Sequence, residues 1–201
     1  DKVRLKSAAR TADKSVEQLE EQINRCIDAG EIVQGLAICQ RLNHGFPVYS
    51  YGWYLASFLM KRARNFPDAL RAIDRALELS YSDRYQLHKA KCLFEGNDTA
   101  AASAAVGMLR SKLFAEAQLH NDLASLLHML GDHQNALQHY SRAVELDGSN
   151  AEFHFNRGAV QRYLGDAAGA EQSFDAAIAC SPLEFEAYNA RLLFEGYNDE
   201  A

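Results

Sequence analysis

Small and aromatic residues recur along this chain at a fixed interval. The two clearest copies repeat a glycine, an alanine, an aromatic residue and a second alanine, at Gly131, Ala136, Tyr140 and Ala143 and again at Gly165, Ala170, Phe174 and Ala177. A less regular form of the same spacing starts from Gly30 and from Arg64. Within a copy, steps of three, four and seven place side chains on one face of an α-helix. A fixed period of about 34 residues predicts a tandem array of helical hairpins.

The repeated positions resemble the tetratricopeptide repeat, a 34-residue helix-turn-helix unit. The best copy spans residues 151–184, and its matching residues are Gly158, Gly165, Ala170, Phe174, Ala177 and Pro182. Trp53 stands near the start of the copy at 50–83, at a position where the family prefers tryptophan. The resemblance implies an all-α fold, a right-handed α-solenoid in which each hairpin buries its apolar face on its neighbours.

The array divides the chain into a basic leader at residues 1–15 and a solenoid at 16–201. The repeats are placed at about 16–49, 50–83, 84–116, 117–150 and 151–184, with a partial copy at 185–201. The leader carries five basic residues against two acidic ones, which is typical of a solvated segment. Ser15 followed by Gln18 indicates a capping box at which the first repeat helix begins.

Two copies depart from the regular period. Turns are predicted near Gly30, Arg64, Gly96, Gly131, Gly165 and Gly196. Gly96 follows Arg64, and Gly196 follows Gly165, by less than one full period. We therefore expect the first helix of copies three and six to be about one turn short. The phrases "AKCLFEGND" at 90–98 and "ARLLFEGYND" at 190–199 indicate that these copies are related variants.

Charge and cysteine content limit the classes of function. A net charge of -6 and a pI of about 5.6 argue against a nucleic-acid partner, which requires a basic face. No apolar run reaches the length of a membrane span, so no membrane partner is predicted. The four cysteines are irregularly spaced and indicate neither a metal knuckle nor a disulfide framework. We expect a cytoplasmic protein in which Cys26 and Cys39 are buried free thiols.

The sequence contains no recognisable catalytic motif. Neither GxGxxG nor GxxxxGK[ST] nor GxSxG occurs in it. His120 and His154 lie one period apart at equivalent repeat positions, which favours a packing role. His128 and His133 flank a predicted turn, and His139 follows on the next predicted helix, a spacing that does not place the three on one helical face. We therefore expect no enzyme activity, no cofactor and no metal site.

The resemblance implies a binding face, because the first helix of each tetratricopeptide hairpin lines a concave groove. The residues placed on that face are Tyr51, Tyr54, Phe58, Lys61, Arg62, Asn121, Ser125, His128, Phe155, Asn156, Arg162 and Tyr163. Aromatic and arginine side chains dominate interface energies, and asparagine can pair with a peptide backbone. An acidic segment with hydrophobic side chains is the expected partner. The alternative for the aromatic residues is packing between repeats.

Two function classes follow from these observations. The first is a non-catalytic scaffold that binds a protein or peptide segment in its groove. The second is the N-terminal scaffold of a larger bacterial enzyme, because "FNRGAVQRYLGD" and "EFEAYNARLLFEG" are similar to repeat regions that precede sulfotransferase domains. Homo-oligomers could form through the C-terminal end or through the charge-free segment at 99–109, which could equally be a buried helix.

Overall fold

The structure is a computed structural model that describes residues 2–181, with side chains from residue 15 onward. These residues form ten α-helices and no strand, which confirms the predicted all-α class. The helices are α1 (Lys2–Ala29), α2 (Ile32–Gly45), α3 (Ser50–Arg62), α4 (Phe66–Leu79), α5 (Asp83–Glu95), α6 (Thr99–Gly107), α7 (Ala117–Met129), α8 (His133–Leu146), α9 (Ala151–Tyr163) and α10 (Ala167–Cys180).

The helices are paired in tandem hairpins, as the repeat period predicts. Within hairpins α1 packs on α2, α3 on α4, α7 on α8 and α9 on α10. Between hairpins α2 packs on α3, α4 on α5 and α8 on α9. The described part of the chain divides into two compact units, unit 1 up to Ala105 and unit 2 from Val106 onward. Unit 1 contains α1 to α5, unit 2 contains α7 to α10, and α6 spans the border between them.

A residue in the left-handed backbone region closes each hairpin. The positive φ angles are 73° at Gly30, 58° at Arg64, 68° at Asn97, 84° at Gly131 and 81° at Gly165. Glycine adopts this conformation without a steric penalty, and asparagine tolerates it better than most residues. The predicted turns near Gly30, Arg64, Gly96, Gly131 and Gly165 are therefore confirmed. The predicted turn near Gly196 lies outside the described residues.

The third hairpin corrects the expectation of a shortened first helix. Gly96 has a φ of −79° and only ends α5, whereas Asn97 occupies the left-handed turn position. Asn97 lies one full period before the turn at Gly131 and almost one full period after the turn at Arg64. Helix α5 has 13 residues, as α3 does, so the prediction is wrong for copy three. The short helix is α6, which has 9 residues where α4 has 14.

Helix α1 corrects the predicted capping box at Ser15. It runs without interruption from Lys2 to Ala29, so Ser15 lies inside the helix and is not its N-cap. A capping box satisfies backbone N–H groups that have no carbonyl partner at the start of a helix. Because α1 is already helical before Ser15, the N–H groups after Ser15 bond to carbonyls of the preceding turn and need no cap. The basic segment at 1–15 and the repeat array at 16–201 stay predictions as domains.

The small residues of the repeat permit close approach between helices. A Cβ placed on Gly158 would lie 2.7 Å from the ring of Phe174, which is fully buried. A Cβ on Gly35 would lie 2.8 Å from a methyl group of Leu59. The period thus pairs a small residue on one helix with a large one on its neighbour, and this pairing builds the core.

Two further expectations concern the interior and the membrane. Cys26 and Cys39 are buried free thiols in the core of unit 1, as predicted. Burial, together with the nearby Cys26, raises the pKa of Cys39 to about 12. Among the helices of the described region, none combines the length and apolar character that a membrane span requires.

Candidate ligand-binding surfaces

The first candidate surface lies in unit 1, where aromatic rings of α3 meet rings of α5. We call Tyr51, Tyr54, Phe58, Tyr85 and His88 the aromatic surface. Tyr54 stacks between Tyr51 at 5.6 Å and Tyr85 at 5.0 Å between ring centroids. His88 contacts Tyr54 at 5.2 Å and Phe58 at 6.1 Å. Tyr51, Tyr54 and Phe58 pack between repeats and still keep part of their surface exposed.

Charged side chains surround the aromatic surface. Lys61 Nζ lies 2.5 Å from a carboxylate oxygen of Glu95, so this predicted binding residue forms an ion pair between α3 and α5. Arg62 Nη1 donates to the carbonyl of Ile27 at 2.9 Å. Burial raises the pKa of Tyr51, with a further contribution from Glu20, while the nearby Arg84 opposes the shift.

Arg84 and Lys91 were missed by sequence reasoning. Lys61 and Lys91 both lie close enough to His88 to lower its pKa. With α5 beginning at Asp83, Arg84 and Lys91 occupy repeat positions that the resemblance implies for ligand contact. Counting copy three from residue 84, one position after the start of α5, displaced its positions by one and concealed them. Asn97, which lies one full period before Gly131, was the signal that could have located them.

Beneath the aromatic surface lies a buried polar trio that the sequence did not reveal. Ser57 Oγ donates its hydrogen to the carbonyl of Ala69 at 2.7 Å. The hydrogen bond between His88 Nε2 and Ser57 Oγ, at 3.0 Å, therefore has His88 as the donor. Cys92 Sγ lies 3.5 Å from the same nitrogen. Burial raises the pKa of Cys92 to about 11 and, with Lys61 and Lys91, lowers that of His88 to about 3. A neutral, fully buried thiol is no nucleophile, so the trio is structural.

The second candidate surface lies in unit 2, on α7 and α9. Asn156 Nδ2 donates to Asn121 Oδ1 at 3.0 Å, and Asn121 Nδ2 donates to Glu152 Oε1 at 3.2 Å. These bonds fix the orientation of both amides. Ser125 bonds to the hydroxyl of Tyr140, whose pKa burial raises to about 12.

The remaining predicted residues of unit 2 are placed differently from one another. Phe155 packs on the buried ring of Phe174, with centroids 5.8 Å apart, and remains partly exposed. Arg162 is exposed near the end of α9, and Tyr163 is 66% exposed. Tyr163 contacts the ring of His128 at 5.6 Å and that of His133 at 4.0 Å. The structure therefore brings His128 and Tyr163 together.

Two other histidines lie in the interior of unit 2. His139 Nε2 donates to the carbonyl of Arg110 at 2.9 Å, so its Nδ1 is an acceptor. His120 Nδ1 donates to that atom at 2.7 Å, while His120 Nε2 accepts from the backbone N–H of Phe114 at 3.1 Å. Burial lowers the pKa of both rings. This chain of bonds ties the segment after α6 to α7 and α8, and the packing role predicted for His120 is confirmed.

Helix α6 is less buried than its composition indicates. Ala102, Val106 and Leu109 follow one line of the segment and are fully buried, while Met108 is 59% exposed. The segment at 99–109 is therefore not buried on all sides: one line of its side chains is buried, and other side chains are exposed. Self-association through this segment stays a prediction.

Sequence comparison finds one family in two parts of the chain. A family model described as "TPR repeat" matches residues 124–165, and one described as "Tetratricopeptide repeat" matches residues 61–107. No protein with a curated description matches the chain.

Structural comparison finds the same fold in several solved proteins. YrrB, described as a TPR protein with an unusual peptide-binding site, is 16% identical with a TM-score of 0.62, and the match covers 89% of this chain and 96% of YrrB. A thermophilic TPR protein of Thermus thermophilus is 11% identical with a TM-score of 0.70, covering 89% and 98%. MamA of Desulfovibrio magneticus RS-1 is 15% identical with a TM-score of 0.62, covering 85% and 97%. At these identities the likeness establishes the fold alone.

Proposed function

Because this chain belongs to the tetratricopeptide repeat family, we propose that it is a non-catalytic scaffold that binds a protein or peptide segment along the first helices of its hairpins. The observation that carries the proposal is the aromatic surface of unit 1. Its rings are held by stacking on one another and on α5, while Tyr51, Tyr54 and Phe58 keep part of their surface exposed. Rings that are already fixed lose little conformational entropy on binding, which makes them effective anchors.

The charges beside the aromatic surface favour an acidic segment that carries hydrophobic side chains. Arg84 lies near Tyr51, and Lys61 and Lys91 lie near His88. Arg84 and Lys91 add two cations beyond the residues that the sequence indicated. Cations at the edge of an interface speed encounter and select the partner more than they deepen affinity.

In unit 2 the Asn121–Asn156 pair supports a contact with an extended backbone. Asn121 is 3% exposed and holds the partly exposed Asn156 in place together with Glu152, so the amide of Asn156 is preorganised for a further hydrogen bond. Peptide binding is part of the description of YrrB, whose fold this chain shares. Ser125, His128, Phe155, Arg162 and Tyr163 belong to the same proposed surface.

Selection of short random displayed peptides against the chain tests the proposal. Enriched sequences should combine Asp or Glu with aromatic or aliphatic residues. The Tyr54→Ala/Phe58→Ala variant should bind the synthesised peptides about 30-fold more weakly or worse, a loss of about 2 kcal/mol, measured by fluorescence anisotropy.

Tyr81→Ala is the matched control, because Tyr81 is a 56% exposed tyrosine of unit 1 between α4 and α5. Its affinity should equal that of the unaltered chain. Circular dichroism establishes that each variant folds. A double variant that folds and binds with full affinity would place the site elsewhere. The relation to sulfotransferase-associated repeats and the cytoplasmic location stay predictions.

A further inference from the structure

The two ends of one turn in unit 2 bring two histidine rings into contact. His128 lies in the last turn of α7, and His133 is the first residue of α8. Their Nδ1 atoms are 2.8 Å apart, and the rings meet edge to face with centroids 4.8 Å apart. Both side chains are partly exposed, and the exposed ring of Tyr163 lies beside them. The pair is therefore accessible from solvent.

The two Nδ1 atoms share one hydrogen at an ordinary N–H···N distance. When the donor ring carries its hydrogen on Nε2 instead, both Nδ1 lone pairs are free, and the same separation fits one coordination geometry. Two imidazole nitrogens that each bind one ion at about 2.0 Å lie about 2.8 Å apart when the angle at the ion is about 90°, and about 3.3 Å apart at the tetrahedral angle. A right angle between neighbouring ligands is typical of square-planar or tetragonal Cu²⁺ and Ni²⁺, whereas Zn²⁺ in protein sites is tetrahedral. An ion that replaces the shared hydrogen and keeps the 2.8 Å separation would bind the two nitrogens at a right angle.

We propose that His128 and His133 form a two-histidine chelate for a divalent ion of square-planar preference, Cu²⁺ before Ni²⁺. The described residues contain no group of three or more His, Cys, Asp or Glu side chains that could hold a metal, so water fills the other coordination positions.

The buried pair in the same unit shows why contact between two histidines is not sufficient. His120 and His139 also have Nδ1 atoms 2.7 Å apart. They are 0% and 5% exposed, and each uses its Nε2 atom in a bond to the backbone of the segment after α6. An ion could reach them only by breaking that chain of bonds. We therefore assign metal binding to the partly exposed pair alone.

A bound ion would lie within the second candidate surface. His128 and Tyr163 were both placed there from the sequence, and the ion would fix the turn between α7 and α8 beside the Tyr163 ring. Water in its open positions can be exchanged for a side chain of a partner. The metal site itself does not depend on the proposed peptide binding.

Titration of the full chain with CuCl₂, followed by calorimetry and electron paramagnetic resonance, tests the assignment. We expect one ion per chain, a spectrum showing coordination by two nitrogens, and affinity in the order Cu²⁺, Ni²⁺, Zn²⁺. His128→Gln and His133→Gln should each weaken copper binding by at least about tenfold. Removing a group that only orients a metal ligand already lowers metal affinity by about that factor, and these variants remove a ligand itself.

His44→Gln is the matched control, because His44 is exposed near the end of α2 in unit 1. It should leave copper binding unchanged. The assignment is overturned if the folded His128→Gln and His133→Gln variants bind copper like the unaltered chain. It is also overturned if His44→Gln weakens binding equally, or if Zn²⁺ binds more tightly than Cu²⁺.

Discussion

Acid should destabilise unit 1 through His88, and the size of the effect follows from its surroundings. The side chain is 5% exposed and bonded to Ser57. Burial, reinforced by Lys61 and Lys91, lowers its pKa from 6.5 to about 3. The folded state therefore binds fewer protons than the unfolded state, so stability is fully present above about pH 6.5 and declines as the pH falls towards 3.

The expected loss can be worked from the two pKa values. At about pH 5 the unfolded imidazole is almost fully protonated, while the folded one is still neutral. The free energy of unfolding should therefore be lower at about pH 5 than at about pH 7.5 by about 2 kcal/mol from this group alone, since each pH unit below the unfolded pKa contributes about 1.4 kcal/mol. Other buried histidines, such as His120 and His139, have lowered pKa values and add to the same trend.

Urea unfolding of the unaltered chain and of His88→Gln at several pH values separates the His88 contribution. The chain has one tryptophan, Trp53, which lies in α3 of unit 1, so its fluorescence reports on that unit. Glutamine can still donate to Ser57 but cannot take up a proton. Between about pH 7.5 and pH 5, the free energy of unfolding of His88→Gln should fall by about 2 kcal/mol less than that of the unaltered chain. Equal pH dependence of the two proteins would refute the reasoning.

Three other expectations concern glycines and can be measured by chemical denaturation. Gly158→Ala should destabilise the chain by about 1–3 kcal/mol, because the added Cβ would lie 2.7 Å from the buried ring of Phe174; an unchanged midpoint would contradict this close packing. Gly131→Ala should cost about 1–2 kcal/mol from backbone strain alone, since φ is 84° and no atom lies within 4 Å of the added Cβ. Gly45→Ala, at the end of α2 with equally open space and no positive φ, should instead stabilise by up to about 1 kcal/mol; the same sign for both variants would argue against the backbone explanation.

The repeat period by itself determined the class of fold and most of its turns. Helical spacing specifies which face of each helix is apolar, and the recurrent glycines mark positions where the backbone must adopt a positive φ. Gly158 and Phe174 could be paired from the pattern because a small residue and a large one recur at fixed steps. These are local properties, and local chain geometry is enough to encode them.

The third hairpin shows where local pattern fails. Gly96 matched the turn residue by type, yet the chain uses Asn97 in the left-handed conformation. Counted back from Asn97, the copy begins at Asp83 and not one residue later, so every position in it was displaced by one. Asparagine can replace glycine at such a position, so residue type alone did not locate the turn. Arg84 and Lys91 were lost from the candidate surface for this reason.

Only the tertiary structure decided which side chains meet across helices. The ion pair of Lys61 with Glu95, the bonds of His88 to Ser57 and the contact of His128 with His133 join residues on different helices. The period specifies that these helices are neighbours, but not their axial offset, rotation or side-chain rotamers, and shifts of about 1 Å in any of these make or break a hydrogen bond. Apolar burial tolerates such shifts because it has no direction, whereas the chemistry of the candidate sites depends on them.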